Sequence, residues 1–294
     1  MEIDLFGEKI KESFTLADKY LLAPTSVLNK RSPKWADLKR RWIKLGIKSE
    51  LGRDVAETIV NKYDYNANFK FGTKAVGKSH YTSIFDPVIC EIIYKWFCPN
   101  KGFILDPFAG GSVRGIVANY LGYKYTGIEL REDQCKANRD QAIDILDINN
   151  QPQWYCGDSD EVLKDKFLIN YDLVFSCPPY MNLEKYSNLE NDLSNMNDDK
   201  FVTKYSSIIK KSCDLIKKGG YAVFVVGDVR DTKGYYKDFT GITKKAFLNC
   251  GMKLYNELIL IDPVGTKALT MERSFKSRKL AKVHQTIYIF HKLK

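Results

Sequence analysis

The chain has 294 residues, of which 44% are hydrophobic and 28% charged, and its formal net charge is +10. This length accommodates one large α/β domain with a modest appendage, but it is too short for two independent enzymes. The longest apolar runs are strand-sized, well below the roughly 20 residues that cross a bilayer, and the first residues lack the apolar segment of a secretory signal. These features argue against a membrane protein and predict a soluble, cytoplasmic one.

The seven cysteines are scattered along the chain, odd in number and never in C-x-x-C spacing. This distribution argues against a disulfide framework and a structural zinc site, so we expect reduced thiols and no metal. The excess of basic residues fits a polyanionic partner such as nucleic acid, because neutralising phosphates releases counterions. A basic surface also keeps a protein soluble, so the charge alone does not decide between these interpretations.

The N-terminal region, residues 1–80, differs from the rest of the chain. It is rich in charge and poor in strand-like runs, with helical patterns near 34–46 and 53–63. We therefore predict two parts: a basic, mainly helical extension over 1–80 and one α/β domain over 81–294.

A polar, glycine-containing connector over 66–80 leads into Asp86 and Pro87, an N-cap and a first-turn proline that predict a helix over 87–97. From about residue 100 onward, short apolar runs alternate with helical patterns, which is typical of a mostly parallel sheet. The seven predicted strands lie at 102–106, 123–129, 153–156, 171–176, 219–226, 253–261 and 284–291.

The predicted helices between these strands lie at 112–121, 131–146, 199–217 and 238–250. The third is expected to end in a basic turn with a glycine stop, formed by Lys217, Lys218, Gly219 and Gly220. Residues 262–283 join the last two strands and show no helical pattern, so we expect these two strands to form an antiparallel pair.

The most informative stretch begins at an apolar strand that ends in Asp106 and leads through Gly110 and Gly111 into a helix. Glycines at such a turn let a ligand approach the backbone, and the helix N-terminus offers free N–H groups. The G-x-G-x-x-G spacing that cradles pyrophosphate is absent, and an acid at the strand end would repel phosphate. An acid there suits the cationic amino-acid end of S-adenosylmethionine (SAM), although a tight turn without a ligand stays an alternative.

The sequence DPFAGGS at residues 106–112 resembles the D-P-F-x-G-S-G motif of DNA amino-methyltransferases, which modify adenine N6 or cytosine N4. The order Gly-Gly-Ser departs from the usual Gly-Ser-Gly. The resemblance implies a Rossmann-like SAM-dependent methyltransferase fold, with a seven-stranded, mostly parallel sheet. The cofactor-binding residues that it implies in this turn are Asp106, Pro107, Phe108, Gly110 and Gly111.

Two further acids follow the next two predicted strands. Glu129 ends the second strand, where a carboxylate accepts the ribose hydroxyls of a nucleotide. Asp158 and Ser159 follow the third strand, where the resemblance implies an acceptor for the adenine amino group. Each alone also fits a helix N-cap, but ligands bind where parallel strands end, so three acids along one edge favour a shared SAM site.

The fourth strand ends at Ser176 and leads into Cys177, Pro178, Pro179 and Tyr180. This resembles the catalytic tetrapeptide of the same family, which begins with Asp, Asn or Ser, continues with Pro-Pro and ends in an aromatic residue. Such a loop accepts both hydrogens of a planar exocyclic amine and so favours a nitrogen that attacks a methyl group; positioning suffices and no metal is needed. Tyr180 would stack on a base flipped out of the duplex.

Cys177 departs from this pattern, because a neutral thiol is a weak hydrogen-bond acceptor. Three explanations stay open. A backbone carbonyl beside Pro178 and a neighbouring group such as Ser176 accept the hydrogens, or Cys177 is partly ionised near the sulfonium, or the site is catalytically degenerate.

Two basic stretches are candidates for contact with DNA phosphates, although a solvated basic face is the alternative. Residues 30–53 contain Trp35 and Trp42 seven apart, which is typical of a helix docked on a core. The candidate DNA-binding residues are Lys39, Arg40 and Arg41 in this stretch and Lys276, Arg278 and Lys279 in residues 262–283.

Long segments of the chain resemble DNA modification methylases of bacteriophages and mobile bacterial elements. They include TSVLNKRSPKWADLKRRWIKLGI, SELGR and CPPYMNLEKYSN. The resemblance implies a restriction-modification type of enzyme acting on double-stranded DNA in a bacterial or phage-infected cytoplasm, with adenine N6 favoured over cytosine N4. An RNA or protein-glutamine methyltransferase stays an alternative, because Pro-Pro-Tyr loops also serve those acceptors. A non-catalytic SAM-fold subunit that binds nucleic acid is a third possibility, suggested by Cys177.

Overall fold

The computed structural model of the protein describes residues 15–48, 85–165, 167, 169–181, 183, 185–265 and 268–294. The predicted helical pattern at 53–63, the connector at 66–80 and the boundary at residue 80 lie outside these residues. The first elements are α1 (Leu16–Lys19), β1 (Val27–Asn29), α2 (Pro33–Lys44) and α3 (Pro87–Phe97).

The remaining elements alternate between strands and helices. The strands are β2 (Phe103–Asp106), β3 (Lys124–Glu129), β4 (Gln153–Cys156), β5 (Tyr171–Ser176), β6 (Ile216–Val226), β7 (Lys253–Ile261) and β8 (His284–His291). The helices are α4 (Val113–Tyr120), α5 (Glu132–Ile145), α6 (Ser159–Asp165), α7 (Asp198–Asp214), α8 (Phe239–Asn249) and α9 (Ala268–Lys276), with a 3₁₀ turn at Leu193–Asn195.

The strands form one sheet in the order β1-β7-β8-β6-β5-β2-β3-β4. All neighbouring pairs are parallel except those of β8, which runs antiparallel to both β6 and β7. The predicted Rossmann-like α/β fold with an antiparallel last pair is therefore confirmed. Because β2 to β6 run in one direction, the loops that follow these strands lie along one edge, which we call the carboxyl edge.

Helices cover both faces of the sheet, and each face has its own apolar core. On one face, residues of α2, α3 and α4 pack against the sheet around the buried side chains of Trp42, Tyr94 and Phe175. On the other face, α6, α7 and α8 pack around Tyr205 and Phe247. The result is a three-layer arrangement in which the sheet is buried between helices, as expected of mostly parallel strands.

Helix α2 docks on α3 through its two tryptophans, as their spacing predicts. Both indole rings are buried; the Trp35 Nε1–H donates to Asp86 at 3.2 Å and the Trp42 Nε1–H to Glu91 at 2.8 Å. Asp86 also caps α3 by accepting from the N–H of Val88 at 3.1 Å, with Pro87 in the first turn. Residues 15–48, the described part of the N-terminal region, therefore contribute to the core of the α/β domain.

The sheet contains one strand more than the seven predicted. β1 pairs in parallel with β7 over three residues, Val27 to Asn29, of which only Leu28 is buried. So short a strand with one buried residue leaves no alternating pattern in the sequence. A part of the predicted N-terminal extension thus belongs to the sheet.

The predicted end of the third helix is wrong. α7 ends at Asp214 and β6 begins at Ile216, so the Lys217–Gly220 segment lies in the strand rather than in a last helical turn. Gly219 has φ +79° and its N–H donates to the carbonyl oxygen of Lys292, and the register between β5 and β6 shifts here. The glycines therefore allow an irregular start of β6. Glycine is also common where helices end, so the sequence alone did not separate the two cases.

The segment between β7 and β8 also differs from its prediction, because it contains α9. The side chains of Glu272 and Lys276 approach to 4.0 Å along this helix and are exposed, and Phe275 is half exposed. The nine residues of α9 are fewer than the window over which helical periodicity is usually detected, so the segment was predicted as a connection. Within the described ranges, no helix has the length and apolarity needed to cross a membrane.

Candidate functional site

A cavity of about 370 Å³ opens at the carboxyl edge, where β2, β3, β4 and β5 end. Its size falls in the range of small-molecule sites, roughly 300–1,000 Å³. Eleven of the thirteen residues predicted for catalysis and cofactor binding line it: Pro107, Phe108, Gly110, Gly111, Glu129, Asp158, Ser159, Cys177, Pro178, Pro179 and Tyr180. The sheet order therefore brings the predicted turn, the acids and the Pro-Pro loop to one place.

The glycine turn and Glu129 are joined by the backbone. Gly110 has φ +53°, a conformation that favours glycine, and its N–H donates to Glu129 Oε2 at 2.9 Å. The other oxygen of Glu129 accepts from the N–H of Arg131 at 3.0 Å. Glu129 thus links the glycine turn to the segment before α5 while it lines the cavity. The N-cap of α5 is Arg131, so the N-cap interpretation of Glu129 is wrong.

Asp106 is fully buried behind the cavity rather than on its wall. Its carboxylate accepts from Arg114 Nε at 2.5 Å, from the Tyr125 hydroxyl at 2.7 Å, from the Ser176 hydroxyl at 2.5 Å and from the Phe108 N–H at 3.1 Å. Carboxylates that accept several hydrogen bonds and pair with arginine are well satisfied when buried.

These contacts correct the sequence interpretation at two residues. Asp106 is already paired with Arg114, so its negative charge is not open to a ligand cation in this arrangement. Ser176 is fully buried and its hydroxyl donates to Asp106, so its side chain does not accept hydrogens inside the cavity. Asp106 and Ser176 therefore hold together the strand ends that lead into the glycine turn and the Pro-Pro loop.

Asp158 and Ser159 lie where β4 gives way to α6. The Asp158 side chain accepts from the N–H of Asp160 at 3.0 Å and forms an ion pair with Lys204, which also lines the cavity. The Ser159 hydroxyl donates to the carbonyl oxygen of Pro107 at 2.5 Å and so ties α6 to the glycine turn. Asp158 therefore has the predicted capping role and a cationic neighbour that the sequence did not indicate.

The Pro-Pro loop holds Cys177 and Tyr180 side by side. The Cys177 Sγ and the Tyr180 hydroxyl oxygen are 3.7 Å apart, and the same hydroxyl donates weakly to the carbonyl oxygen of Val225 at 3.4 Å. The ring of Tyr180 packs against Phe239, with 5.7 Å between centroids. Tyr180 is thus held in place from behind while it borders the cavity.

Burial raises the pKa of the Cys177 thiol, and the smaller opposing effect of Arg114 does not reverse this. A raised pKa favours the neutral thiol at physiological pH. Burial by the protein therefore works against ionisation of Cys177, whereas the backbone carbonyls of the loop are strong acceptors at any pH.

The six predicted DNA-binding residues do not line the cavity. In α2, Lys39 pairs with Asp86 at 3.2 Å and Arg40 pairs with Asp37, so both are partly neutralised, and Arg41 also makes a contact within the protein. The others lie in the segment between β7 and β8, on the carboxyl edge: Lys276, Arg278 and Lys279.

Beside the cavity lies a second set of basic and aromatic residues, of which only Lys279 was predicted. We call it the basic aromatic patch: Arg230, Tyr235, Tyr236, Lys279 and Lys282. The guanidinium of Arg230 lies 3.8 Å from the Tyr236 ring centroid, and the Lys282 Nζ lies 5.8 Å from it. Tyr235 is 72% exposed and Tyr236 49%. The available signal in the sequence was the pair of adjacent tyrosines in a polar stretch.

No protein-family model matches the chain, and no curated protein matches it. Among solved structures it is similar to TrmN from Thermus thermophilus, at 13% identity and a TM-score of 0.48, over 71% of this chain and 49% of TrmN. It is also similar to the magnesium protoporphyrin IX methyltransferase ChlM from Synechocystis PCC 6803 with bound SAM, at 11% identity and a TM-score of 0.45, over 70% of this chain and 79% of ChlM. A methyltransferase from Pyrococcus furiosus gives 15% identity and a TM-score of 0.45, over 79% of this chain and 95% of that one.

The chain thus spans about half the length of TrmN. TM-scores below 0.5 at these identities assign neither a family nor a substrate. The sheet order and the cavity define the class: a Rossmann-like α/β protein with a ligand-sized cavity at the carboxyl edge of its sheet.

Proposed function

We propose that the protein is a SAM-dependent methyltransferase that methylates an exocyclic amino nitrogen of a DNA base, with adenine N6 favoured over cytosine N4. The observation that carries the proposal is the shared cavity, in which the glycine turn and two carboxylates face the Cys-Pro-Pro-Tyr loop. The family resemblance of both motifs supplies the substrate class.

The residues of the cavity fit SAM. Gly110 and Gly111 leave room for close approach to the backbone, and Glu129 and Asp158 offer carboxylate oxygens to the ribose and the adenine amino group. When bound, SAM supplies a methyl group activated by its sulfonium. Phe108 packs against Tyr205 at 5.7 Å between centroids and gives the cavity an apolar wall.

The Pro-Pro loop is suited to hold the acceptor amine. Prolines have no N–H and cannot continue a strand ladder, so β5 gives way to a rigid loop whose carbonyl oxygens beside Pro178 and Pro179 can accept from an incoming donor. These oxygens would accept the two amine hydrogens and orient the nitrogen lone pair toward the cofactor side of the cavity. Tyr180 would stack on the flipped base. The proton that the amine loses on methylation would pass to solvent at the mouth of the cavity, so no titrating side chain is required.

The proposal is tested by incubating the protein with isotopically labelled SAM and an equal mixture of unmodified genomic DNA and total RNA. The two polymers are separated, digested to nucleosides and analysed by mass spectrometry. We expect label on N6-methyldeoxyadenosine, or else on N4-methyldeoxycytidine. Label confined to RNA, or on no nucleoside although the protein binds SAM, would contradict a DNA amino-methyltransferase.

The basic aromatic patch supports a nucleic-acid acceptor because it adjoins the Pro-Pro loop. A Cβ atom on Gly227 would lie 3.2 Å from the Tyr180 ring and 3.7 Å from Lys282 Nζ. Gly227 therefore lies between the Pro-Pro loop and the patch and is close to both. Arg230 is oriented by its stacking on Tyr236 and by donation to the carbonyl oxygen of Gly234 at 2.7 Å. Cations beside exposed rings fit phosphates and unstacked bases.

Replacing Arg230 and Lys282 together by alanine is expected to weaken binding to duplex DNA by about tenfold or more at low salt, because two phosphate contacts are lost. The measurement is fluorescence anisotropy over a series of salt concentrations. The slope of log affinity against log salt should become shallower by about 0.9 for each contact removed. Lys210→Ala, a change of an exposed lysine paired with Asp214 on α7, serves as the control and should leave the slope unchanged. Equal losses in both variants would reject the patch as the DNA contact.

Cys177 is expected to be dispensable, because a neutral thiol is a weak acceptor and the backbone carbonyls do not depend on it. Cys177→Ala should keep the methylation rate within about tenfold of the wild type, which is less than the roughly 100-fold that one proton-transfer group contributes at the low end. Because burial raises the pKa of Cys177 above its usual value, the thiol should stay mainly neutral near neutral pH. The wild-type rate should therefore show no titration step that the alanine variant lacks.

The control is Cys156→Ala, which removes an exposed thiol outside the cavity lining. A loss of more than a hundredfold in Cys177→Ala alone would mean, on the scale of one catalytic group, that the thiol takes part in the reaction.

A further inference from the structure

The guanidinium of Arg114 lines the cavity with one donor atom, Nη1, that none of the described residues engages. Its Nε atom donates to Asp106, and its Nη2 atom donates to the carbonyl oxygens of Phe108 and Ala109 at 2.6 and 2.8 Å. Among the described residues, no atom forms a hydrogen bond with Nη1. Nη1 also keeps some accessible surface, because it does not belong to the fully buried atoms without a partner. Because Arg114 borders the cavity, this remaining donor is available to a ligand there.

The arginine is otherwise withdrawn from water and held rigidly. Only 5% of its side chain is exposed, and its guanidinium lies 4.6 Å from the ring centroid of Phe85, another residue of the cavity wall. Burial alone would lower the pKa of Arg114, but the adjacent Asp106 carboxylate more than offsets this and the pKa is raised. A fixed, permanently charged donor with one open position is the usual recognition device for a carboxylate.

The order of the strands locates Arg114 relative to the ends of the proposed cofactor. Along the edge, the loop after β5 with Cys177 comes first, then the turn after β2 with Arg114, then Glu129 after β3 and Asp158 after β4. If Glu129 and Asp158 hold the nucleoside, the amino-acid end lies toward β2 and β5. That end carries the one anionic group of SAM, its carboxylate.

We infer that Arg114 Nη1 binds the carboxylate of the amino-acid end of SAM and so selects cofactors that carry it. The inference rests on the proposed function, because it takes SAM as the ligand. It also reassigns the predicted role of Asp106: the acid does not bind the cofactor directly but orients the arginine that does, through the 2.5 Å contact to Nε.

The test compares SAM with decarboxylated SAM, which keeps the sulfonium and the ammonium and lacks only the carboxylate. Both affinities are measured by calorimetry for the wild type and for Arg114→Lys. The wild type should bind SAM about tenfold or more tightly than the decarboxylated analogue, as expected for one charge-assisted hydrogen bond. In Arg114→Lys the preference should fall to within about threefold. The single ammonium nitrogen of lysine would be held by Asp106, whereas arginine has a further nitrogen that can donate to the ligand.

The matched control is Arg131→Lys, which changes the other arginine of the cavity wall, beside Glu129. It should keep the wild-type preference for SAM even if it weakens both ligands equally. An unchanged preference in folded Arg114→Lys, or no preference in the wild type, would overturn the inference and leave the proposed function intact. A wild type that binds neither compound would instead overturn the proposed function.

Discussion

Arg114→Met is expected to lower the free energy of unfolding by about 3–5 kcal/mol, because it leaves the Asp106 carboxylate buried without its counter-charge. Asp106 has no exposed surface, and only 5% of the side chain of its partner Arg114 is exposed. The Tyr125 and Ser176 hydroxyls would still donate to the carboxylate, but neither carries a charge. The measurement is urea unfolding at neutral pH, followed by circular dichroism.

Two controls separate the charge effect from general loss of packing. Arg131→Met removes a cation whose partner Asp133 is 60% exposed, and such a pair contributes at most about 1 kcal/mol. Asp106→Asn combined with Arg114→Met removes both charges, so the double variant should be more stable than the sum of the single losses predicts. Strict additivity of the two single losses would contradict a coupled buried pair.

The sequence was sufficient for features that depend on local signals. The strand ending in Asp106, the glycine turn and the Asp86-Pro87 helix start each combine a pattern with a recognisable end, and all three were found where predicted. The convergence of Glu129, Asp158 and the Pro-Pro loop followed from one rule, that parallel strands present their following loops along a single edge.

The pairing of these residues was beyond the sequence, because it depends on side chains brought together by the turn. Arg114 follows Asp106 by eight positions, and nothing in that spacing reveals that its side chain folds back under the loop to reach the carboxylate. A lone charge in the otherwise apolar start of α4 was the available signal, since such residues are buried only when paired. The contact of Lys204 with Asp158 joins two distant elements and left no signal.

Tyr180→Ala is expected to lower kcat/KM for DNA methylation by about 10- to 100-fold, the effect of losing one base–aromatic stacking contact. The Tyr180 ring borders the cavity on one side and packs against Phe239 on the other, so it presents a supported face to a flipped base. Tyr180→Phe keeps the ring and loses only a 3.4 Å hydrogen bond to Val225, so it should retain most of the activity. Rates are measured with labelled SAM at limiting DNA.

Stacking and packing make different predictions at Phe239, which supports Tyr180 from behind and does not line the cavity. If the loss in Tyr180→Ala arose from a loosened loop, Phe239→Leu would reproduce it, because the ring of Tyr180 would lose its support. If the ring itself binds the base, Phe239→Leu should stay close to the wild type while both variants bind SAM normally. Equal losses in the two variants would therefore assign Tyr180 to the packing of the loop and would leave the flipped base without its proposed aromatic partner.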